Sequence, residues 1–141
     1  MKLVRHELSI EAPASVVYRH LTTVDGLLRW MAVDAVAEAV PGGRLEWTHE
    51  NGATMLGRFI ELVPDRRVVF AYGWKDDLMG LPPVSSIVEI DLDEDAGITT
   101  LRLAHRGIPR RSVEEHQRGW IYFLERLRVT MSAPEERTAG Q

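Results

Sequence analysis

The stretch GRFIELVPDRRVVFAYGW at residues 57–74 contains two runs of alternating apolar residues hinged on Pro64-Asp65-Arg66. Pro presets a turn and Asp tolerates one, so the segment predicts an antiparallel hairpin with strands at 54–63 and 67–74. In the second arm Val68, Phe70, Tyr72 and Trp74 share one face, and Val69, Ala71 and Gly73 share the other. A face that large and aromatic needs a cover.

On the N-terminal side, Leu45, Trp47 and His49 alternate with Arg44, Glu46, Thr48 and Glu50, which predicts a strand at 44–50. It joins 54–63 through Glu50-Asn51-Gly52, where Asn and Gly both accept the positive φ of a tight hairpin. Pro41-Gly42-Gly43 sets off another strand at 33–39. On the C-terminal side, a longer connection at 76–83 and a turn at 93–97 bound strands at 84–92 and 98–105. In the last of these, Leu101, Leu103 and His105 oppose Arg102, Ala104 and Arg106. Residues 3–10 alternate up to Glu11-Ala12-Pro13 and bring the strand count to seven.

The flanks read as helix. Pro13 suits a helix start, which predicts a short helix at 13–22. Thr23 or Asp25 can cap a second short one carrying Leu27, Leu28, Trp30 and Met31. After Pro109, Ser112-Val113-Glu114-Glu115 has the spacing of a capping box. His116, Trp120, Phe123, Leu124, Leu127 and Met131 then fall on one side of a helix about five turns long. An antiparallel sheet of about seven strands curls under its own twist, and one long helix can lie in the concavity and cover the aromatic face. The fold class expected is therefore α+β. Residues 1–133 form one domain in this reading, and 134–141, PEERTAGQ, form a flexible tail without periodicity.

Composition narrows the function classes. With 17 basic against 21 acidic residues among 141, the chain lacks the basic excess of a nucleic-acid binder. The start MKLVRHELSI has no signal-peptide core and no apolar run is long enough for a membrane span, so a cytoplasmic location without membrane insertion is expected. The absence of cysteine removes thiol nucleophiles, disulfides and thiolate metal sites. Ser85-Ser86 follows Pro82-Pro83 without the strand-to-helix elbow of a serine hydrolase. His105, His116 and Glu115 show no zinc-ligand spacing, and Gly-rich 42–52 lacks a phosphate-loop pattern. Asp91, Asp93, Glu94 and Asp95 read as a solvated hairpin tip rather than a calcium loop. No cofactor or metal is expected.

Aromatics at strand and helix spacing serve packing more often than pocket walls. Here Tyr72, His49, His105 and His116 interrupt the inward faces, and buried polar atoms need partners, which a ligand-filled pocket supplies.

Several segments resemble one family. IEAPASVVYRHLT (10–22), PGGRLEW (41–47), the 57–74 hairpin, LRLAHRG (101–107) and HQRGW with its following leucines (116–127) are similar, in order and spacing, to the START-like (SRPBCC) superfamily. Within it they resemble the branch related to the activator of the ninety-kilodalton heat-shock-protein ATPase. The resemblance runs from about residue 3 to 131. It implies a helix-grip fold of order β-α-α-β6-α with a hydrophobic cavity between sheet and last helix. It also implies that Gly119 lets that helix approach the sheet and that Trp120 projects inward. No shared catalytic residues carry over. The expected lining is Trp30, Trp47, His49, Phe59, Phe70, Tyr72, Trp74, Leu101, Leu103, His105, His116, Trp120, Phe123, Leu124 and Leu127.

The first functional reading is noncatalytic binding of a small hydrophobic or amphipathic molecule. An acid–base enzyme using His49, His105 or His116 with Tyr72 is the alternative. A co-chaperone-type interaction module with a chaperone partner is a third. Homodimerisation through a sheet edge or the terminal helix is left open.

Overall fold

A computed structural model describes residues 3–132; the tail expected at 134–141 lies outside them. The chain runs β1 (Leu3–Ile10), α1 (Ala14–Thr22), α2 (Val24–Leu27), β2 (Asp34–Ala37), β3 (Arg44–Thr48), β4 (Thr54–Val63), β5 (Arg67–Tyr72), β6 (Ser86–Asp95), β7 (Ile98–Arg106) and α3 (Val113–Ser132). The seven strands form one antiparallel sheet in the order β1-β7-β6-β5-β4-β3-β2. It is the α+β architecture that the alternation predicts.

Register aligns the apolar positions into continuous rows across the sheet. Val4 lies opposite His105, His105 opposite Val88, Val88 opposite Phe70, and Phe70 opposite Phe59. Between Phe59 and Glu61 the register with β5 shifts by one, leaving Ile60 bulged and 45% exposed. A bulge bends its strand and increases the local twist, which adds to the curvature of the sheet at β4. The convex face is charged: Arg67 bonds Glu61 at 3.1 Å and Asp91 at 2.8 Å, and Arg106 pairs with Glu89. These exposed pairs add little stability each. They keep the outer face in water.

The inward stripe of α3 is His116, Trp120, Leu124 and Leu127, all buried, flanked by half-buried Phe123 and Met131. Its start corrects one expectation. Ser112 sits in a 3₁₀ turn, Arg110–Ser112, so its backbone is already helical and cannot present a capping hydroxyl. The hydroxyl donates back to the Pro109 carbonyl at 3.3 Å, and the Ser112 carbonyl is taken by His116.

Other boundaries differ for local reasons. The second helix is one turn, capped by Thr23 as expected, whose Oγ1 accepts from the Gly26 amide at 3.0 Å. Trp30 lies beyond it, and its indole donates to the His20 carbonyl at 2.9 Å, tying this segment to α1. The acidic hairpin tip has a structural task that sequence reading missed. Glu94 Oε1 accepts from the Ala14 amide at 2.8 Å and satisfies the start of α1 from eighty residues away. In the β3–β4 turn only Gly52 takes a positive φ (92°), while Asn51 Oδ1 accepts from the Ala53 amide.

β5 ends at Tyr72, two residues earlier than the alternation suggests, because the chain folds back on itself beyond Gly73. The Trp74 amide donates to the Leu81 carbonyl at 2.9 Å. A Cβ at Gly73 would stand 1.8 Å from the Pro82 carbonyl oxygen, so this close approach of two backbones requires glycine. The fold-back carries a 3₁₀ turn, Lys75–Gly80, in which Asp76, Asp77 and Met79 hold positive φ of 60, 53 and 58°. Gly73→Ala is expected to lower stability by about 1–3 kcal/mol, the usual cost of overpacking against a site that cannot yield. A urea unfolding midpoint unchanged from wild type would refute the close-approach argument.

Candidate functional site

Three tryptophans on three different elements each donate an indole N–H to a histidine ring. Trp47 on β3 donates to His49 Nε2 at 3.2 Å, Trp74 just past β5 donates to His116 Nε2 at 3.0 Å, and Trp120 on α3 donates to His105 Nδ1 at 3.0 Å. An indole only donates, so each receiving nitrogen is an unprotonated acceptor and the other ring nitrogen carries the hydrogen. His49 Nδ1 then donates to the Met31 carbonyl at 3.0 Å, and His116 Nδ1 donates to the Ser112 carbonyl at 2.7 Å. His105 Nε2 donates to Ser86 Oγ at 2.8 Å, and Ser86 Oγ donates onward to the Tyr72 carbonyl at 2.7 Å. All three imidazoles are thereby fixed as neutral tautomers.

Burial acts in the same direction. Desolvation pushes His49 and His116 below the ordinary histidine range, against the opposing pull of their carbonyl partners. His105 falls to about 3, first through burial and then through repulsion from His116. Burial also raises the Tyr72 phenol above its usual value, so it remains protonated.

Above this polar layer opens a pocket of about 400 Å³. Its floor is Trp47, His49, Tyr72, Trp74, His116 and Trp120, and Phe123 stacks on His49 with ring centroids 4.8 Å apart. Met31, Ala32, Val33 and the β3–β4 turn residues Glu50, Asn51 and Ala53 form one lip. Leu78 and Met79 of the left-handed 3₁₀ turn form a second. Glu115, Gly119, Tyr122 and Arg126 along α3 form the third. Tyr72 is 5% exposed; its hydroxyl makes no hydrogen bond among the described residues but keeps accessible surface, the one enclosed side-chain polar atom without a partner there being His20 Nε2.

Of the residues expected to line a cavity, the structure brings together Trp47, His49, Tyr72, Trp74, His116, Trp120 and Phe123 around this pocket. Trp30, Phe59, Phe70, Leu101, Leu103, His105, Leu124 and Leu127 lie in the packed interior instead, each at most 3% exposed. Phe59, Phe70 and Leu103 share the buried core with Leu124 and Leu127. Gly119 also differs from expectation. A Cβ there would meet nothing within 4 Å, so this glycine does not bring α3 closer to the sheet.

The missed wall residues on α3 carry a signal. Positions 115, 119, 122 and 126 repeat the helical spacing of the buried stripe, displaced by about one residue toward the pocket. The lips at 31–33, 50–53 and 78–79 come from turns with no such period. No three His, Asp or Glu side chains converge as metal ligands among the described residues. No described helix is long and apolar enough to cross a membrane.

Residues 11–132 match the family described as Activator of Hsp90 ATPase homolog 1-like protein. No curated protein matches the chain. Among solved structures, protein MLL2253 from Mesorhizobium loti is 20% identical with a TM-score of 0.81, over 97% of this chain and 98% of that one. Protein CV1439 from Chromobacterium violaceum is 24% identical with a TM-score of 0.80, over 93% and 97%. The Aha1 dimer from Colwellia psychrerythraea gives 21% and 0.78, over 93% and 96%. At such identities the likeness is one of fold, the helix-grip arrangement of a curved seven-stranded sheet around a long C-terminal helix. With the family match spanning most of that fold, the chain belongs to the Activator of Hsp90 ATPase homolog 1-like family.

Proposed function

We propose that the protein binds a small apolar or amphipathic molecule in the pocket between β3, the 3₁₀ turn at Lys75–Gly80 and α3, without transforming it. One observation carries this reading: an aromatic-walled pocket of about 400 Å³ with the unpaired hydroxyl of Tyr72 on its floor. That volume falls within the usual range of small-molecule sites, and the mix of apolar wall and few polar groups is their usual chemistry. The hydrogen bonding favours binding over acid–base turnover. A general base needs a free lone pair, and the lone pairs of His49, His105 and His116 each hold an indole proton. Tryptophan fluorescence during titration with a panel of fatty acids and aromatic compounds, together with native mass spectrometry of the protein as purified, tests the proposal. Saturable quenching or a retained small molecule is expected. No response from any compound by either method would overturn it.

The neutral histidines also predict how stability follows pH. Unfolded histidines titrate near pH 6.5, whereas the folded ones resist protonation, so below about 6.5 the unfolded chain binds more protons. Stability is fully present above that pH and drains away as pH falls toward the folded value of about 3 for His105. Urea midpoints are therefore expected to be level from pH 9 to about 7 and to decline between about 6.5 and 5. A flat profile down to pH 5 would contradict the assigned neutral state.

A second reading concerns self-association. Ile121, Tyr122 and Val129 form an apolar stripe on the outer face of α3, exposed by 43, 57 and 53%. The Colwellia neighbour is described as a dimer, and a second copy seated on this stripe is the corresponding proposal here. Sedimentation over a wide concentration range is expected to show a dimer that Ile121→Glu dissociates. A monomer at all concentrations would exclude it.

A further inference from the structure

We propose that Tyr72 and Gly119 set the pocket's selectivity. In this assignment the site takes a compact ring molecule whose buried end is uncharged and bears one carbonyl or hydroxyl oxygen. The inference rests on the ligand-binding reading and specifies its chemistry.

The floor of the pocket is rich in polar hydrogens, yet nearly all are committed. The indoles of Trp47, Trp74 and Trp120 are spent on histidines, and the histidines on carbonyls or Ser86. Tyr72 is the exception. Its ring is clamped by His105 at 4.5 Å and Trp74 at 5.6 Å between centroids, so the hydroxyl cannot swing away to find another partner. The hydroxyl has no protein partner and Tyr72 lines the pocket, so a molecule there that offers an oxygen gives it one away from bulk water.

Charge at that end is disfavoured on the same grounds. The three histidines are neutral and Tyr72 stays a phenol, so no ionised group stands by to compensate a buried ion. The ionisable residues of the wall lie at the rim: Glu50, Glu115, which reaches Arg118 at 3.6 Å, and Arg126, whose Nε donates to the Trp30 carbonyl at 3.0 Å. Polar or charged substituents therefore belong at the outer end of the ligand. Flat aromatic walls favour rings, which stack or meet them edge-on.

Gly119 supplies the room. Glycine is a poor residue for the middle of a twenty-residue helix. Here neither packing nor a positive φ calls for it, since a Cβ would meet nothing within 4 Å and the residue is not among the positive-φ glycines. What its missing side chain leaves open is the pocket, whose wall it forms beside Trp120 and His116.

Naphthalene, 1-acetonaphthone, 1-naphthol and 1-naphthoate form a matched probe series, with affinity read by tryptophan quenching for wild type, Tyr72→Phe, Gly119→Ala and Gly119→Leu. Wild type is expected to prefer acetonaphthone and naphthol over naphthalene by about five- to tenfold, the scale of one buried hydrogen bond, and to bind naphthoate most weakly. Tyr72→Phe removes that preference, so that acetonaphthone and naphthol bind no tighter than naphthalene. Gly119→Ala raises the melting temperature yet weakens all the probes, and Gly119→Leu abolishes their binding. A preference that survives Tyr72→Phe, a naphthoate preference, or a melting temperature lowered by Gly119→Ala would each overturn the assignment. Binding of fatty acids but none of the neutral rings would overturn it while leaving the ligand-binding reading intact; binding of nothing would remove both.

Discussion

The interior depends on indole-to-imidazole bonds that tie the sheet to the helix. Trp74 reaches from the end of β5 to His116 on α3, and Trp120 reaches from α3 to His105 on β7. The two bonds run in opposite directions across the same gap, and each joins an element to a partner remote in sequence. Neither imidazole can turn or take up a proton without releasing an indole N–H into a buried site, so the position of α3 against the sheet is fixed by polar bonds as well as by apolar area. The third bond, Trp47 to His49, does the same for the β3–β4 turn, which His49 fastens to the Met31 carbonyl.

That locked layer separates two environments. Below it, Phe59, Phe70, Val88 and Leu103 share one core with Leu124 and Leu127 with essentially no exposure. Around His116 and Gly119, the turns at 31–33, 50–53 and 75–80 stand apart from the helix and the interior stays open. The aromatic residues therefore divide by level along α3, with Phe59 and Phe70 in the packed part and Trp47, Tyr72 and Trp74 at the boundary.

Much of the fold was legible because its determinants are periodic. Alternation in 67–74 and 98–105 marked the inward faces, and the spacing 116, 120, 124, 127 marked the buried side of α3. The site was legible only in part. Period tells which way a side chain points, but not how far the opposite wall stands, so Leu103 and Trp47 read alike although one is packed and the other borders open space. Pairing was invisible for a related reason. The histidines could be read as pocket wall or, in the alternative, as acid–base groups, and only distances show that three tryptophans donate to them. Glu94 capping α1 and Gly73 against Pro82 are likewise contacts between remote segments, which local pattern does not encode.

The departures from local rules are concentrated at the pocket. A glycine interrupts α3 where packing leaves space for a side chain, a tyrosine hydroxyl is left without a protein partner, and Asp76, Asp77 and Met79 hold left-handed backbone beside the mouth. The glycine and the left-handed turn each carry a cost that an ordinary substitution, alanine in the helix or glycine in the turn, would relieve. A core selected for stability alone has no reason to keep all of them within one small volume. Their convergence on the same wall, with the histidine lone pairs taken up behind it, is the pattern that supports the proposed binding site over incidental surface relief.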